Sequence, residues 1–360
     1  MSTIFAHRRR ALLSQMAQQH LGCLLVTNPK SWFYLTGFTG EFGVLVIARR
    51  GPALITDGRF LAQAQQETSG VRIVAQEAAL LSTTGEFLKR QGGGQVGFNA
   101  SEVTVAQLRA LRKAGGRRVR LVVAGGQVGA LRARKDALEI SQMRKAAQLA
   151  GEVLQGAVKL LKPGVREIEI GAEIEYQMRR RGASGPAFET IVAFGERSAY
   201  PHARPTAKRL NKNELVVLDL GAILGHYCSD ITRTVYVGRT PRRVRQWYQA
   251  VQEAQAAAVA AVKAGVCGGD VDAAARRVLA THRLDRYFVH STGHGLGLEV
   301  HEEPRIARGQ KQALAPGNVV TIEPGVYVPG IGGIRIEDDV VVHANRTEIL
   351  TRVPRDFIEI

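Results

Sequence analysis

Apolar residues in the first third of the chain fall into short runs separated by turn-forming residues. Residues 21–56 read LGCLLVTNPKSWFYLTGFTGEFGVLVIARRGPALIT, in which Asn-Pro, Thr-Gly and Arg-Gly-Pro interrupt the apolar segments. Such runs predict β-strands bounded by turns. The helical patterns RFLAQAQQET and SEVTVAQLRALRKAGG then alternate with the apolar runs VRIVAQ, QVGFN and VRLVVA. This alternation predicts an α/β domain.

The rest of the chain alternates long helical patterns with long apolar strands. A Gly-rich and basic passage, AGGQVGALRARKD, precedes an amphipathic pattern that predicts a helix from Asp136 to Leu161, ended by Pro163 and Gly164. Further helices are predicted from REIEIGAEIEYQMRRRG and from the Ala-rich VRQWYQAVQEAQAAAVAAVKAG. We place a domain boundary in the Gly-rich passage, between residues 128 and 129, and expect an α/β (α+β) chain of two domains.

Two segments of the second domain share one layout. LVVLDLGAILGHYCSDITRTVYVG and NVVTIEPGVYVPGIGGIRIEDDVVVH each contain an apolar strand with an acid near its end, a glycine turn and a second strand with another acid. This layout predicts two similar β-hairpins. The two similar hairpins predict two half-domains that face each other.

The acids of these hairpins are Asp219, Asp230, Glu323 and Glu337, and each lies among apolar or β-branched neighbours. A buried, ionised carboxylate needs a cation, an arginine or several hydrogen bonds. Side-chain alternation places Arg335 and Glu337 on one face of the sheet. Taken singly, each acid fits an ordinary strand-end or turn residue. Four of them converging from matching hairpins would repel strongly, which favours a metal site.

Hard oxygen ligands with one imidazole suit a pair of divalent ions of the manganese, cobalt or zinc type. Four carboxylates balance the charge of two such ions, and a hydroxide that bridges them leaves the cluster near neutral. A source of imidazole is HSTGHGLGLEVHEEP, in which His290 and His294 stand four residues apart. That spacing would place both on one face of a helix, but Gly293, Gly295 and Gly297 disfavour a helix. Their partners must therefore come from elsewhere in the chain.

At these motifs the sequence resembles a known family, the pita-bread metallopeptidases, and within it the Xaa-Pro aminopeptidases and Xaa-Pro dipeptidases (prolidases). LDLGAILGHYCSDITRT, HSTGHGLGLEVHEEP, IEPGVYV and GGIRIED are similar to the metal-binding core of that family. VTNPKSWFYLTGFTGEFGVLVI and GPALITDGRF are similar to its N-terminal domain. The resemblance implies a creatinase-like α/β domain over residues 1–128. It also implies a pita-bread catalytic domain over residues 129–360, with pseudo-twofold repeated halves of helix and hairpin.

The resemblance implies a metal ligand set. Asp219 would chelate one metal, Asp230 and Glu337 would bridge both, and His294 and Glu323 would complete the second metal. Each of these positions carries the residue type that the family has there.

The resemblance also implies a set of residues around the substrate. His202 would line the substrate site, and His290 and His301 would hydrogen-bond the substrate and the tetrahedral intermediate. Arg335 would orient a bridging carboxylate. Arg197 stands where the family commonly has an asparagine, which leaves the contacts of the loop before His202 open.

The expected reaction is hydrolysis of the Xaa-Pro bond at the N-terminus of a dipeptide or short peptide, by attack of a metal-bridging hydroxide. Glu323 is the expected general base and proton shuttle, because it would contact both metal and water. Mn²⁺ is the first choice of ion, with Co²⁺ or Zn²⁺ as alternatives. Arg305 is a candidate partner for the terminal carboxylate of a dipeptide, or else a surface arginine in EEPRI, so dipeptidase and aminopeptidase both stay open. The resemblance alone implies a homodimer.

The formal net charge of +17 is the one bulk feature that favours a different class of function. A charge of this size can indicate polyanion binding, and a catalytically inactive pita-bread protein that binds through its basic surface is the alternative hypothesis. The arginines fall in small groups, HRRR, RALRKAGGRRVR, MRRRG and RTPRRVR, without interleaved aromatic residues. This distribution favours a solvated basic surface over a nucleic-acid partner. The presence of all five ligand residues disfavours both an inactive protein and a creatinase-like enzyme, which lacks the metal ligands. Residues 1–125 disfavour a methionine aminopeptidase, which lacks this N-terminal domain.

Cysteine usage and hydropathy indicate the compartment. Cys23, Cys228 and Cys267 are far apart and have no CxxC spacing, which disfavours a disulfide framework or a thiolate zinc site. The N-terminal stretch MSTIFAHRRRALLSQMAQQHLGCLLV lacks the unbroken apolar core of a signal peptide. No run of about 18 apolar residues could span a membrane. We expect a cytoplasmic protein without a membrane partner.

Overall fold

The computed structural model describes residues 2–360 and divides into two compact units that meet in sequence between Arg132 and Ala133. The first unit is a six-stranded sheet with helices. Its helices are α1 (Ser2–Gln18), α2 (Pro29–Thr36), α3 (Leu61–Glu67), α4 (Leu80–Arg90), α5 (Val105–Gly115) and α6 (Gln127–Arg132). Its strands are β1 (Cys23–Val26), β2 (Val44–Ala48), β3 (Ala53–Thr56), β4 (Arg72–Ala75), β5 (Gly94–Phe98) and β6 (Val119–Val123).

The strands of the first unit follow the order β4-β3-β2-β1-β5-β6. β1 pairs antiparallel with β2 and parallel with β5, so the sheet is mixed. Helices and strands alternate along the chain, as the periodicity of the sequence predicted. The boundary placed between residues 128 and 129 falls inside α6, the last helix of this unit.

The basic HRRR segment lies partly inside the first unit. Arg8 and Arg9, both on α1, are buried. Nη1 of Arg8 lies 3.1 Å from the carbonyl oxygen of Tyr34, and Nη1 of Arg9 lies 2.9 Å from that of Leu35. These carbonyls belong to the last turn of α2, where a helix leaves acceptors without partners of its own. The prediction of a solvated basic surface is therefore wrong for these two arginines, because they satisfy main-chain acceptors.

The second unit combines four helices with short sheets. Its helices are α7 (Ala137–Val158), α8 (Glu167–Arg180), α9 (Arg242–Ala261) and α10 (Gly268–Thr281). Its strands in the first half are β7 (Gly185–Pro186), β8 (Ile191–Phe194), β9 (Glu214–Leu220), β10 (Ala222–Leu224), β11 (Tyr227–Cys228) and β12 (Ile231–Val237). The later strands are β13 (Gly293–Gly295), β14 (Glu302–Ile306), β15 (Val319–Ile322), β16 (Gly325–Val328), β17 (Gly332–Arg335), β18 (Asp338–Val342), β19 (Thr347–Ile349) and β20 (Ile358–Glu359).

The second unit contains the internal repeat that the sequence predicted. β9 pairs antiparallel with β12 in the sheet β20-β12-β9-β8, and β15 pairs antiparallel with β18 in the sheet β14-β13-β15-β18-β19. The turn after the first helix of each half is held in the same way. The amide of Gly164 donates to the carbonyl of Leu210 at 2.8 Å, and the amide of Gly265 donates to that of Leu314 at 2.8 Å. Each half therefore builds helix, helix and hairpin on one plan.

Sequence signals fix the ends of the long helices. Asp136 caps α7, because its Oδ1 accepts from the amides of Leu138 (2.9 Å) and Glu139 (3.0 Å). α7 therefore begins directly after Asp136 and ends at Val158, before the predicted end at Leu161.

Across residues 2–360, none of the helices is long and apolar enough to cross a membrane.

Candidate active site

The first hairpin places two aspartates inside the second unit. Asp219 lies on β9 opposite Thr232 of β12, and Asp230 comes directly before β12. Both carboxylates are buried. The amide of Asp230 donates to Oδ2 of Asp339 at 3.0 Å, which joins the first hairpin to β18 of the second.

The second hairpin supplies the two glutamates. Glu323 follows β15, and its amide donates to the carbonyl of Thr292 at 2.8 Å. Glu337 lies between β17 and β18, and its amide donates to the carbonyl of Thr232 at 3.2 Å. The Thr232 hydroxyl in turn donates to Oε2 of Glu337 at 2.6 Å. Main-chain and side-chain contacts of Thr232 thus hold Glu337 beside the first hairpin.

His294 lies on β13 and faces the carboxylates. Its Nε2 is 3.8 Å from Oδ2 of Asp230 and 3.5 Å from Oε1 of Glu323. Its Nδ1 is 3.1 Å from the carbonyl oxygen of Gly295, which favours the tautomer with the proton on Nδ1 and leaves Nε2 as a ligand atom. Burial, above all, lowers the pKa of His294 to about 4. The glycine at position 293 lets β13 lie close to β15, since a Cβ there would collide with the carbonyl oxygen of Thr321.

The donor set fits divalent metal ions. Ligand atoms of Asp230, His294 and Glu337 all lie within 4.8 Å of one another. Oδ1 of Asp219 and Oδ1 of Asp230 are buried and have no hydrogen-bond partner within the described residues 2–360. Buried polar atoms in native proteins are nearly always satisfied, so carboxylate oxygens without a hydrogen-bond partner fit the role of ligands to a divalent cation.

The acids also oppose one another electrostatically. Burial first, and then the charges of Glu337 and Asp219, raise the pKa of Asp230 well above its ordinary value. Burial first, and then Glu323 and Asp219, raise the pKa of Glu337 in the same way. Burial is also the main reason that the pKa of Glu323 rises to about 8. Divalent ions would remove the repulsion that these shifts express.

Arg335 on β17 joins the two hairpins. Its Nη2 is 2.5 Å from Oδ2 of Asp219, its Nε is 3.1 Å from the hydroxyl of Thr232, and its Nη1 is 2.6 Å from the hydroxyl of Tyr327. Its direct carboxylate partner is therefore Asp219, and it reaches Glu337 through Thr232. Sequence reasoning expected contact with a bridging carboxylate, and missed Tyr327 because an aromatic residue in an apolar strand carries no polar signal.

His290 is engaged by the protein at both ring nitrogens. Its Nε2 lies 2.8 Å from the hydroxyl of Tyr327, and its Nδ1 lies 2.8 Å from the carbonyl oxygen of Ser291. Its Nδ1 also lies 4.0 Å from Oε2 of Glu323. Burial is the main reason that its pKa falls to about 4. The expected hydrogen bond from His290 to substrate stays a prediction, and the ring would exchange one of these partners to make it.

The remaining predicted substrate residues lie on the exposed side of the site. The His301 ring packs edge-on against the His294 ring, with 4.3 Å between centroids. His202 and Arg305 are exposed, and both lie near enough to His301 to lower its pKa, although burial is the larger cause. His301 therefore adjoins His294, and the charges of His202 and Arg305 act on His301.

A buried ion pair supports the ligands from behind, and sequence reasoning missed it. Nη2 of Arg233 lies 2.8 Å from Oδ1 of Asp338, while its Nη1 lies 2.6 Å from the carbonyl oxygen of Glu337. Gln255 on α9 donates to the other oxygen of Asp338 at 2.7 Å. The IEDD segment carried a signal for this ion pair. Asp338 directly follows the predicted ligand Glu337, and consecutive residues of an extended segment point to opposite faces.

Taken together, the repeated hairpins and their buried carboxylates define a metal-dependent hydrolase of the two-domain kind that the sequence motifs resembled. Residues 141–344 match the sequence model of metallopeptidase family M24, and residues 8–134 match that of the creatinase/prolidase N-terminal domain. The chain belongs to metallopeptidase family M24. The predicted family and the predicted two-domain α/β fold are confirmed.

Three relatives mark the chain's place in this family. The uncharacterized peptidase YqhT of Bacillus subtilis (strain 168) is 39% identical over 335 residues, which are 93% of this chain and 95% of the relative. The solved Xaa-Pro dipeptidase from Bacillus anthracis is 36% identical with a TM-score of 0.95, covering 99% of this chain and 100% of that one. The solved X-Pro aminopeptidase from Thermotoga maritima is 34% identical with a TM-score of 0.87, covering 96% of this chain and 99% of that one.

Proposed function

We propose that this chain is a dinuclear metal-dependent exopeptidase that hydrolyses the Xaa-Pro bond at the N-terminus of dipeptides or short peptides. The observation that carries the proposal is the approach of three buried carboxylates and the partly buried Glu323 to His294, with oxygens of Asp219 and Asp230 that have no hydrogen-bond partner within residues 2–360. The similarity to an Xaa-Pro dipeptidase and to an X-Pro aminopeptidase supports the choice of peptide bond. We assign catalysis to residues 129–360.

The metal-holding residues in this proposal are Asp219, Asp230, His294, Glu323 and Glu337. Their charge suits two divalent ions, with Mn²⁺ as first choice and Co²⁺ or Zn²⁺ as alternatives. When bound, such ions would acidify a water molecule as the nucleophile and polarise the scissile carbonyl.

The chain's own groups would then move protons and orient the substrate. Glu323 is the proposed general base, because its carboxylate lies close to both His294 and His290 and would contact both metal and water. It would pass that proton to the prolyl nitrogen, which has no N–H of its own. His202, His290 and His301 are the proposed substrate contacts. The hydrogen bond between His290 and Tyr327 supports this role for His290, because it holds the ring next to Arg335 and Asp219.

Substrate length is a separate question that depends on Arg305. This exposed arginine on β14 lies beside His301 and could bind the terminal carboxylate of an Xaa-Pro dipeptide. An enzyme that uses this contact would favour dipeptides over longer peptides. The proposal keeps a homodimer as the expected assembly.

The test is release of the N-terminal residue from Xaa-Pro and Xaa-Pro-Yaa peptides, with and without added Mn²⁺. Wild-type protein should cleave with Mn²⁺, and Glu323→Ala should lose about 10³-fold in kcat. The matched control Glu152→Ala removes an exposed acid on α7 and should keep wild-type rates. No metal-dependent cleavage of either peptide would overturn the proposal, and a salt-sensitive gel shift with nucleic acid would then support the inactive polyanion-binding alternative.

A further inference from the structure

Helix α10 carries an ion pair that the proposed reaction does not use. Asp272 and Arg276 are one helical turn apart, and Nε of Arg276 lies 2.7 Å from Oδ2 of Asp272. The Asp272 side chain is 1% exposed and the Arg276 side chain 15% exposed. Burying such a pair costs desolvation free energy unless other hydrogen bonds satisfy its remaining atoms. The partners of those atoms therefore indicate what the pair holds in place.

The free end of Arg276 binds the main chain that carries His290. Its Nη1 lies 3.1 Å from the carbonyl oxygen of Phe288, and its Nη2 lies 2.6 Å from that of His290. Its Cζ also stacks over the Phe288 ring at 4.2 Å from the centroid. The Phe288 ring in turn meets the His290 ring edge-on, with 5.1 Å between centroids. One guanidinium thus fixes both the backbone and the ring plane of His290.

The other oxygen of Asp272 binds the same segment two residues later. Its Oδ1 accepts from the hydroxyl of Thr292 at 2.8 Å and from the amide of Thr292 at 3.3 Å. The carbonyl of Thr292 accepts from the amide of Glu323 at 2.8 Å. The ion pair therefore reaches Glu323 through a single residue.

We propose that Asp272 and Arg276 are positioning residues that hold His290 and Glu323 in their relative orientation. Nδ1 of His290 lies 4.0 Å from Oε2 of Glu323, and both residues are fixed from behind by α10. The kinetic consequence rests on the proposed function, whereas the anchoring itself does not. A displacement of about 1 Å in such groups can cost about 100-fold in rate.

The first test is a kinetic comparison on the metal-loaded full chain. Arg276→Met should lower kcat for an Xaa-Pro peptide about 10- to 100-fold and change KM less than about threefold, since the substrate contacts remain. Arg276→Lys keeps the charge and one carbonyl contact, and should lose less. The matched control Arg277→Met removes an exposed arginine from the same helix and should behave as wild type.

A double-mutant cycle with His290→Ala separates positioning from general damage. If Arg276 acts through His290, adding Arg276→Met to His290→Ala should lower kcat further by less than about threefold. Full additivity of the two losses would overturn the part of the proposal in which Arg276 positions His290. If Arg276→Met does not fold, Asp272→Asn and Arg276→Lys are compared in the same cycle.

Hydrogen–deuterium exchange of the metal-free protein tests the anchor without activity. Asp272→Asn and Arg276→Met should speed exchange several-fold in peptides covering residues 288–294 and in the amide of Glu323, and Arg277→Met should not. Unchanged exchange would overturn the proposal whatever the enzyme does. If wild-type protein cleaves no Xaa-Pro peptide, the proposed function fails, and exchange still decides whether this ion pair holds the segment.

Discussion

In the first half of the second unit, the loop that carries His202 is anchored at its ends by Glu167, the first residue of α8. This fully buried carboxylate accepts from the amide of Phe194 at 2.9 Å, from Nε of Arg197 at 3.1 Å and from the amide of Thr206 at 2.9 Å. His202 itself lies exposed between these anchor points.

In the second half, by contrast, the anchor binds the histidine directly. Arg276 holds the carbonyl of His290, whose side chain is only 20% exposed. Helices and hairpins are arranged alike in both halves, so this arrangement does not determine how each histidine is held. The difference lies in the side chain that anchors each loop, Glu167 in the first half and Arg276 in the second. We infer that the first half leaves a histidine available for substrate, while the second half fixes one beside the chemistry.

The largest expected effect comes from breaking the link between the halves. Arg335→Met leaves Asp219 buried without its cation and should destabilise the metal-free protein by about 3 kcal/mol. Urea unfolding in chelator at neutral pH measures this loss. Arg335→Lys retains a charge and should lose less. A change of less than about 0.5 kcal/mol would contradict the linking role of Arg335.

A smaller effect should appear in the pH dependence of the metal-free protein. The pKa of Glu323 is raised to about 8, so its contribution to stability is full below 4.5 and is lost as pH rises to 8. His290 and His294, with pKa lowered to about 4, act in the opposite direction, mainly below 6.5 and more weakly between 6.5 and 8. Between pH 6.5 and 8 the free energy of unfolding should therefore fall by about 1 kcal/mol.

Urea unfolding at both pH values in chelator checks this expectation. Glu323→Gln, which cannot ionise, should reduce the fall but not remove it, because the pKa values of Asp230 and Glu337 are raised as well, and added Mn²⁺ should abolish it. A free energy of unfolding that rises between pH 6.5 and 8 would show that the buried carboxylates do not repel one another in the metal-free protein.

The smallest effect separates the two anchors. Arg197→Met loosens the His202 loop and should raise KM for an Xaa-Pro peptide about threefold to tenfold, with kcat nearly unchanged. Arg276→Met should do the reverse. The control Arg180→Met removes an exposed arginine at the end of α8 and should change neither constant. An equal loss of kcat in both anchor variants would remove the distinction between the halves.

Much of this arrangement was predictable from sequence, because periodic patterns and turn residues report which strands are buried. The two hairpins and the acids Asp219, Asp230, Glu323 and Glu337 follow from apolar strands that carry a carboxylate near the end. His294 could be singled out by resemblance, and the structure places it against Asp230 and Glu323.

The partners of buried arginines were not predictable. Arg335 contacts Asp219, from which it is separated by 116 positions in the sequence, and Arg8 contacts the end of α2. Such contacts depend on the tertiary fold and leave no periodic pattern in the sequence. For the same reason, the sequence carries no signal for the contacts that Asp272 and Arg276 make with residues 288–292. Part of the strong positive charge is thus used inside the fold rather than on the surface.

We propose that two divalent ions are held between the two halves of the second unit and are required for cleavage of an Xaa-Pro bond. The direct measurement is titration of metal-free protein with Mn²⁺, following proline release from an Xaa-Pro dipeptide. We predict activity that rises until two ions are bound per chain and then stays constant. Full activity with one ion would contradict the dinuclear site, and no activity at any Mn²⁺ concentration would contradict the proposed reaction.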